Sequence, residues 1–188
     1  MMEGWERRKA RLFFALWPDA AVRGRIAAQR PAVGRSVAEE NLHLTLLFLG
    51  SVDVEQSRRL REAAATVIVP PFELRLVRLD YWSRSRVAWL GLDEAPPALL
   101  SLHRQLKAAA QKVGLALESR RYRPHVTLAR DAATIAPRPI DPIHWTVTDF
   151  CLAESVLRPE GSQYLVRQRW PLRTEVGPAV GGAGATVE

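Results

Sequence analysis

Apolar positions along the chain fall into short runs and stripes that read as strands and helices in turn. Residues 11–17, Arg-Leu-Phe-Phe-Ala-Leu-Trp, form an apolar run of strand length, which predicts a buried strand. Asp19 is placed to cap a short helix reaching about Arg30, where Pro31 stops it. After a polar loop at 34–40 comes Asn41-Leu42-His43-Leu44-Thr45-Leu46-Leu47-Phe48-Leu49-Gly50. As a strand it puts His43 and Thr45 on one face and Leu42, Leu44, Leu46 and Phe48 on the other. Asp53 and Gln56 stand at capping-box spacing before the helical stripe Leu60, Ala64, Val67 and Ile68, which Pro70-Pro71 end. Residues 72–76 alternate as a half-buried strand, and Ser83-Arg84-Ser85-Arg86 turns the chain into a second strand at 87–92. Pro96-Pro97 open a helix with the stripe Leu99, Leu102, Leu106, Ala109 and Val113, and Gly114 closes it. A basic segment, Arg120 to Arg123, leads into Pro124-His125-Val126-Thr127-Leu128-Ala129-Arg130. Two more strands, about 144–157 and 163–170, are joined by a turn at 158–162.

The pattern repeats. Residues 11–17, a helix and the strand bearing His43-x-Thr45 are echoed by residues 86–92, a Pro-led helix and the strand bearing His125-x-Thr127. Two such lobes around a pseudo-twofold axis would face their His-x-Thr motifs across one cleft.

At 188 residues the chain fits one domain with a sizeable core, taken as residues 11–173. Residues 1–10 are charged and predicted to be flexible. The stretch from Thr174 holds four of the eleven glycines in fifteen residues, which predicts a disordered tail over 174–188. The run ending at Trp17 is too short to span a bilayer and has no cleavage site after it, so a cytoplasmic, monomeric protein without membrane contact is expected. The single Cys151 excludes an intrachain disulfide and reads as a packed thiol. A net charge of +7 favours an anionic partner such as a nucleic acid or nucleotide. Three lysines against 24 arginines look equally like compositional bias, so charge alone decides nothing.

Two histidines at working pH can supply one neutral and one protonated imidazole, the pair that in-line cleavage of a phosphodiester needs on opposite sides of phosphorus. The hydroxyls of Thr45 and Thr127 would donate to non-bridging phosphate oxygens. A lone His-x-Thr is more often an ordinary core histidine beside a strand-forming threonine. Repetition inside a duplicated frame is what favours the functional reading. His144-Trp145-Thr146 is a third such triplet, but it stands outside the repeated frame and reads as structural or rim-exposed. His103 sits at the margin of its helix's apolar stripe. Arg130 would point away from the motif under strict alternation, yet at a strand end its fork can reach a phosphate. Phe14, Phe48, Tyr122 and Trp82 are candidate base-stacking rings, with Phe14 and Phe48 more often simply core. No His-Glu-x-x-His run or acidic cluster accompanies the motifs, so neither a metal nor another cofactor is expected.

With Arg11-Leu12-Phe13-Phe14-Ala15, Phe48-Leu49-Gly50, residues 85–91 and Arg169-Trp170 added, the ordered motifs resemble the 2H phosphoesterase superfamily. They are most similar to its bacterial RNA 2′,3′-cyclic phosphodiesterase branch, also called 2′-5′ RNA ligase. The resemblance covers roughly residues 11–172. It implies a bilobal α+β fold, with two mainly antiparallel sheets facing a central cleft and helices outside. It also implies metal-independent opening of RNA 2′,3′-cyclic phosphate ends to 2′-phosphomonoesters, with 2′-5′ ligation as the reverse reaction. Under it His125 activates water, His43 protonates the departing O3′, Thr45 and Thr127 hold phosphate, and Arg130 matches a phosphate-linked arginine. Another cyclic or 2′-5′ linked nucleotide as substrate, or a basic RNA-binding module without turnover, are the alternatives.

Overall fold

The computed structural model describes residues 9–119, 121–159 and 161–174. The expected disordered tail beyond Thr174 and the first eight residues of the expected flexible start lie outside the described residues. The described elements are β1 (Ala10–Leu16), α1 (Ala20–Ala27), β2 (Arg35–Ser36), a 3-10 turn (Glu39–Asn41), β3 (Leu44–Val52), α2 (Val54–Ala65), β4 (Phe72–Trp82), β5 (Val87–Leu92), α3 (Pro97–Lys112), β6 (His125–Arg130), β7 (Arg138–Val147), β8 (Asp149–Arg158) and β9 (Gly161–Pro171).

The expected helix starts act as read, but α2 ends at Ala65, short of Pro70-Pro71, and leaves Val67 and Ile68 of its predicted stripe outside the helix. Asp19 accepts the Val22 N–H at 2.8 Å. Asp53 and Gln56 form the reciprocal capping box. Pro97 begins α3, and Gly114 at φ 80° follows it in the left-handed region that suits glycine.

The strands form one antiparallel sheet in the order β7-β4-β5-β6-β3-β1-β8-β9, with β2 added to β6. Its centre is the β3–β6 pair, flanked by β1 and β5, the strands that open the two repeated units. The bilobal α+β architecture is therefore as expected. The two anticipated sheets are halves of one, joined at Leu44↔Val126.

The apolar run at 144–157 is two strands rather than one. The chain breaks at Thr148, where β7, paired to β4, gives way to β8, paired to β1 and β9. β7 begins earlier, at Arg138, and includes Pro139 and Pro142. An edge strand tolerates the missing N–H groups of both prolines.

Ile26 of α1, Leu60 of α2 and Leu99, Leu102 and Leu106 of α3 share one apolar core with Leu44, Leu46, Val126 and Leu128. The helices thus cover one face of the sheet. On the other face Phe13, Ala15, Cys151 and Ala153 make a small separate cluster. Cys151 is buried there, as read.

Candidate active site

Leu44 and Val126, the middle residues of the two His-x-Thr motifs, pair directly across β3 and β6, and both are fully buried. Strand alternation therefore sends His43, Thr45, His125 and Thr127 to the opposite, helix-free face. Antiparallel register sets His43 across from Thr127 and Thr45 across from His125. The four residues picked from the repeat are brought together at the middle of the sheet.

Each imidazole is oriented by its own chain. Nδ1 of His43 lies 2.7 Å from the Asn41 carbonyl, and Nδ1 of His125 lies 2.7 Å from the Arg123 carbonyl. A carbonyl only accepts, so each Nδ1 carries a proton and, in the neutral ring, each Nε2 carries the lone pair. Nε2 of His43 is 3.1 Å from Thr45 Oγ1, whose hydroxyl donates to it while the ring is neutral.

Aromatic rings close around both histidines. His43 stacks on Trp17 with centroids 4.9 Å apart at 13°, meets Tyr164 edge-on at 5.1 Å, and touches Phe13 at 5.1 Å. His125 stands edge-on to Trp82 at 4.5 Å, with Trp89, the β5 partner of Thr127, behind it. Burial lowers His43 from 6.5 to about 4; the Asn41 carbonyl pulls the other way, and the charges of His125 and Arg130 lower it further. Burial also lowers His125, opposed by the Arg123 carbonyl and helped by Arg130. Both rings are therefore neutral in the free protein near pH 7, and one charge, Arg130, is felt by both.

Arg130 reaches this face because alternation fails. The ladder between β5 and β6 pairs Ala88 with Ala129 and Trp89 with Thr127, skipping Leu128. This bulge reverses the parity of the strand after Thr127. Among the described residues no carboxylate pairs with the Arg130 side chain, which leaves its donors for an anion. Gly34, at φ 76°, lets β2 lie against this strand end, since a Cβ there would sit 2.6 Å from the Arg130 carbonyl oxygen.

The same slip corrects the reading of Phe48. The β1–β3 ladder pairs Ala15 with Thr45 and Phe14 with Leu47, skipping Leu46. Phe48 therefore leaves the core face, stands 65% exposed, and lies 6.0 Å from Phe13 on the site side. Phe14 is the opposite case. It is fully buried against Phe150 and Trp170 on the core face and cannot stack a base. Tyr122 is likewise spent, lying flat on His103 at 4.0 Å. Trp82 is at the site, against His125. His144 lies on the edge strand β7, half-exposed and 3.9 Å from Glu73, away from both motifs.

Sequence reasoning missed Trp17, Tyr164 and Asn41. Trp17 had a signal, since it continues the parity of Phe13 and Ala15. Asn41 binds the Ser162 carbonyl through its amide nitrogen and receives the Tyr164 N–H on its amide oxygen, which brings β9 against His43. No local pattern announces a contact 123 residues away.

Among the described residues no group of three or more His, Cys, Asp or Glu side chains could hold a metal ion, and no helix is long and apolar enough to cross a membrane.

The 2′-5′ RNA ligase superfamily model matches residues 18–157. An Escherichia coli protein named RNA 2′,3′-cyclic phosphodiesterase is 38% identical over 169 residues, spanning 86% of this chain and 96% of its own length. One of the same name from Thermus thermophilus is 34% identical over 192 residues, spanning 89% and 92%. The crystal structure of E. coli LigT in apo form superposes with a TM-score of 0.81 at 38% identity, covering 89% of this chain and 99% of that one.

Proposed function

The chain belongs to the 2′-5′ RNA ligase superfamily, and on that premise we propose that this enzyme opens 2′,3′-cyclic phosphates at RNA ends, using His43 and His125 as its proton-transfer pair. The observation that carries the reading is the direct pairing of Leu44 with Val126, which puts two acid–base groups and two hydroxyls on one face. Binding alone needs no such matched set.

The cyclic phosphate lies between the two imidazoles. Nε2 of His125, with its lone pair free, removes a proton from the attacking water. Nε2 of His43 delivers a proton to O3′ as the P–O3′ bond breaks, leaving the 2′-phosphate. His43 is neutral in the free protein, so it takes up that proton with the substrate. A phosphate anion beside the ring favours the imidazolium that burial alone disfavours. Thr45 and Thr127 donate to the non-bridging oxygens, and once His43 is protonated its Nε2 no longer competes for the Thr45 hydroxyl proton. Arg130 stabilises the phosphate charge from the strand end. Phe48 offers a ring for a nucleobase at the other rim.

The test is product position. RNA ending in a 2′,3′-cyclic phosphate is digested and the product mapped by ³¹P NMR. A 2′-phosphate is expected. A 3′-phosphate would keep two-histidine chemistry and overturn the proposed direction, and turnover confined to other cyclic or 2′-5′ linked nucleotides would overturn the substrate.

A further inference from the structure

A bulge leaves the carbonyl of its extra residue without a ladder partner, and a buried carbonyl needs one. Each His-x-Thr motif is followed at once by such a residue, Leu46 after Thr45 and Leu128 after Thr127. β3 meets its other neighbour, β6, only at Leu44, so that side gives Leu46 no ladder bond either. Both carbonyls are nevertheless satisfied. The Leu128 oxygen accepts the backbone N–H of Val37 at 2.8 Å. The Leu46 oxygen lies 2.8 Å from Nδ1 of His103, on α3, which therefore donates to it. In one lobe the bulge is held by backbone; in the other it is held by a side chain.

We infer that His103 is a positioning residue for the reaction, because its imidazole holds the bulge that aims Thr45 and turns Phe48 to the site. The inference rests on the proposed role of Thr45 as a phosphate donor. Thr45 is peptide-bonded to Leu46, so release of that carbonyl lets β3 return toward regular pairing with β1. Regular pairing would shift the peptide that follows Thr45, moving its hydroxyl within the site face, and would send Phe48 back toward the core. His103 is itself held, its ring lying flat on Tyr122 at 4.0 Å and 3°. The donor and the ring face are thus two separable contacts, and the inference assigns the effect to the donor.

Two substitutions separate them. His103→Asn keeps an N–H near the position of Nδ1 and loses the ring. His103→Phe keeps the ring on Tyr122 and loses the donor. kcat and KM are measured on an oligoribonucleotide ending in a 2′,3′-cyclic phosphate, with Tm recorded for each variant. His103→Phe is expected to cost about tenfold in kcat/KM, and His103→Asn less than about threefold. In a Thr45→Ala background His103→Phe should cost less than about twofold in kcat, because the hydroxyl it aims is gone, while its KM cost through Phe48 remains. An undiminished His103→Phe, an equal loss in His103→Asn, or an unchanged kcat cost in the Thr45→Ala background each overturns the inference. Where His103→Phe does not fold, His103→Leu replaces it under the same expectations. A harmless Thr45→Ala overturns the reading of Thr45 itself, whereas a costly Thr45→Ala beside a harmless His103→Phe overturns only the role of His103.

Discussion

The neutral state of His43 can be measured without any substrate, through folding. Its imidazole is closed in by Trp17, Phe13 and Tyr164, and burial lowers it from 6.5 to about 4. The unfolded chain takes up this proton near the ordinary histidine value, while the folded chain resists it until the pH is far lower. Between those two values the unfolded state binds more protons, so stability is present above about 6.5 and is lost as the pH falls toward about 4. Linkage across that interval gives a loss of about 2 kcal/mol by pH 5 and about 3 kcal/mol by pH 4 from this one group. His125 and Arg130 face His43 from β6, and their positive charges deepen the effect.

The perturbation is His43→Asn, which keeps a donor toward the Asn41 carbonyl and removes the titration. Urea unfolding of both proteins at about pH 7, 6 and 5 yields the difference in stability at each pH. The contribution of His125 is common to both and cancels to first order. The variant should gain on the wild type by about 2 kcal/mol between the first and last pH. Parallel curves, with a difference constant within about 0.5 kcal/mol, would show that water reaches His43 and that the aromatic cage does not set its charge.

Further outcomes follow from the placement of the other residues. His43→Ala and His125→Ala should each lower kcat by ~10²–10⁴, and His144→Ala by less than about tenfold; equal losses in all three, read by steady-state kinetics, would place the wrong histidines at the centre. Exhaustive dialysis against EDTA should leave turnover intact, and loss restored by a divalent ion would sink the two-histidine mechanism. Phe14→Ala should cost about 3–5 kcal/mol in urea unfolding, while Phe48→Ala should leave stability within about 0.5 kcal/mol and raise KM. Arg130→Ala should raise KM and reduce the salt dependence of KM, because a phosphate contact is removed; an unchanged salt slope would take Arg130 off the substrate.

Local chemistry was legible wherever it depended on neighbours in sequence. The caps at Asp19 and Asp53, the proline start of α3 and its glycine stop follow from backbone groups satisfied within a few residues. The four central residues were legible for another reason. The fold duplicates one strand–helix–strand unit, and a repeated motif in a repeated frame fixes its own partner. Strand parity was not legible beyond the motifs. The skips at Leu46 and Leu128 depend on the neighbouring strands, so alternation placed Phe48 in the core and aimed Arg130 away. Phe13 and Phe14 lie on a strand buried on both faces, and composition alone could not say which ring belonged to the site.

Those two bulges also bear on the direction of the reaction. They occupy equivalent places, each directly after the threonine, and each returns the third residue after that threonine to the site face. The pseudo-twofold axis thus exchanges His43 with His125 and Thr45 with Thr127, and it exchanges Phe48 with Arg130. The symmetric four can hold a phosphate and move protons in either sense. The exchanged pair cannot, since one is an exposed apolar ring and the other a cation whose charge reaches both imidazoles. A ribose 2′,3′-cyclic phosphate is itself unsymmetrical, with a base on one side and a 5′-ward phosphate on the other. Seating the base toward Phe48 and the anionic strand toward Arg130 satisfies both rims at once. The reversed seating opposes an anion to the ring and leaves the guanidinium without an anion. Under the proposed function, direction is therefore set by the two residues outside the repeat's chemistry, and an Arg130→Phe exchange should weaken the choice of product oxygen more than it weakens the chemistry itself.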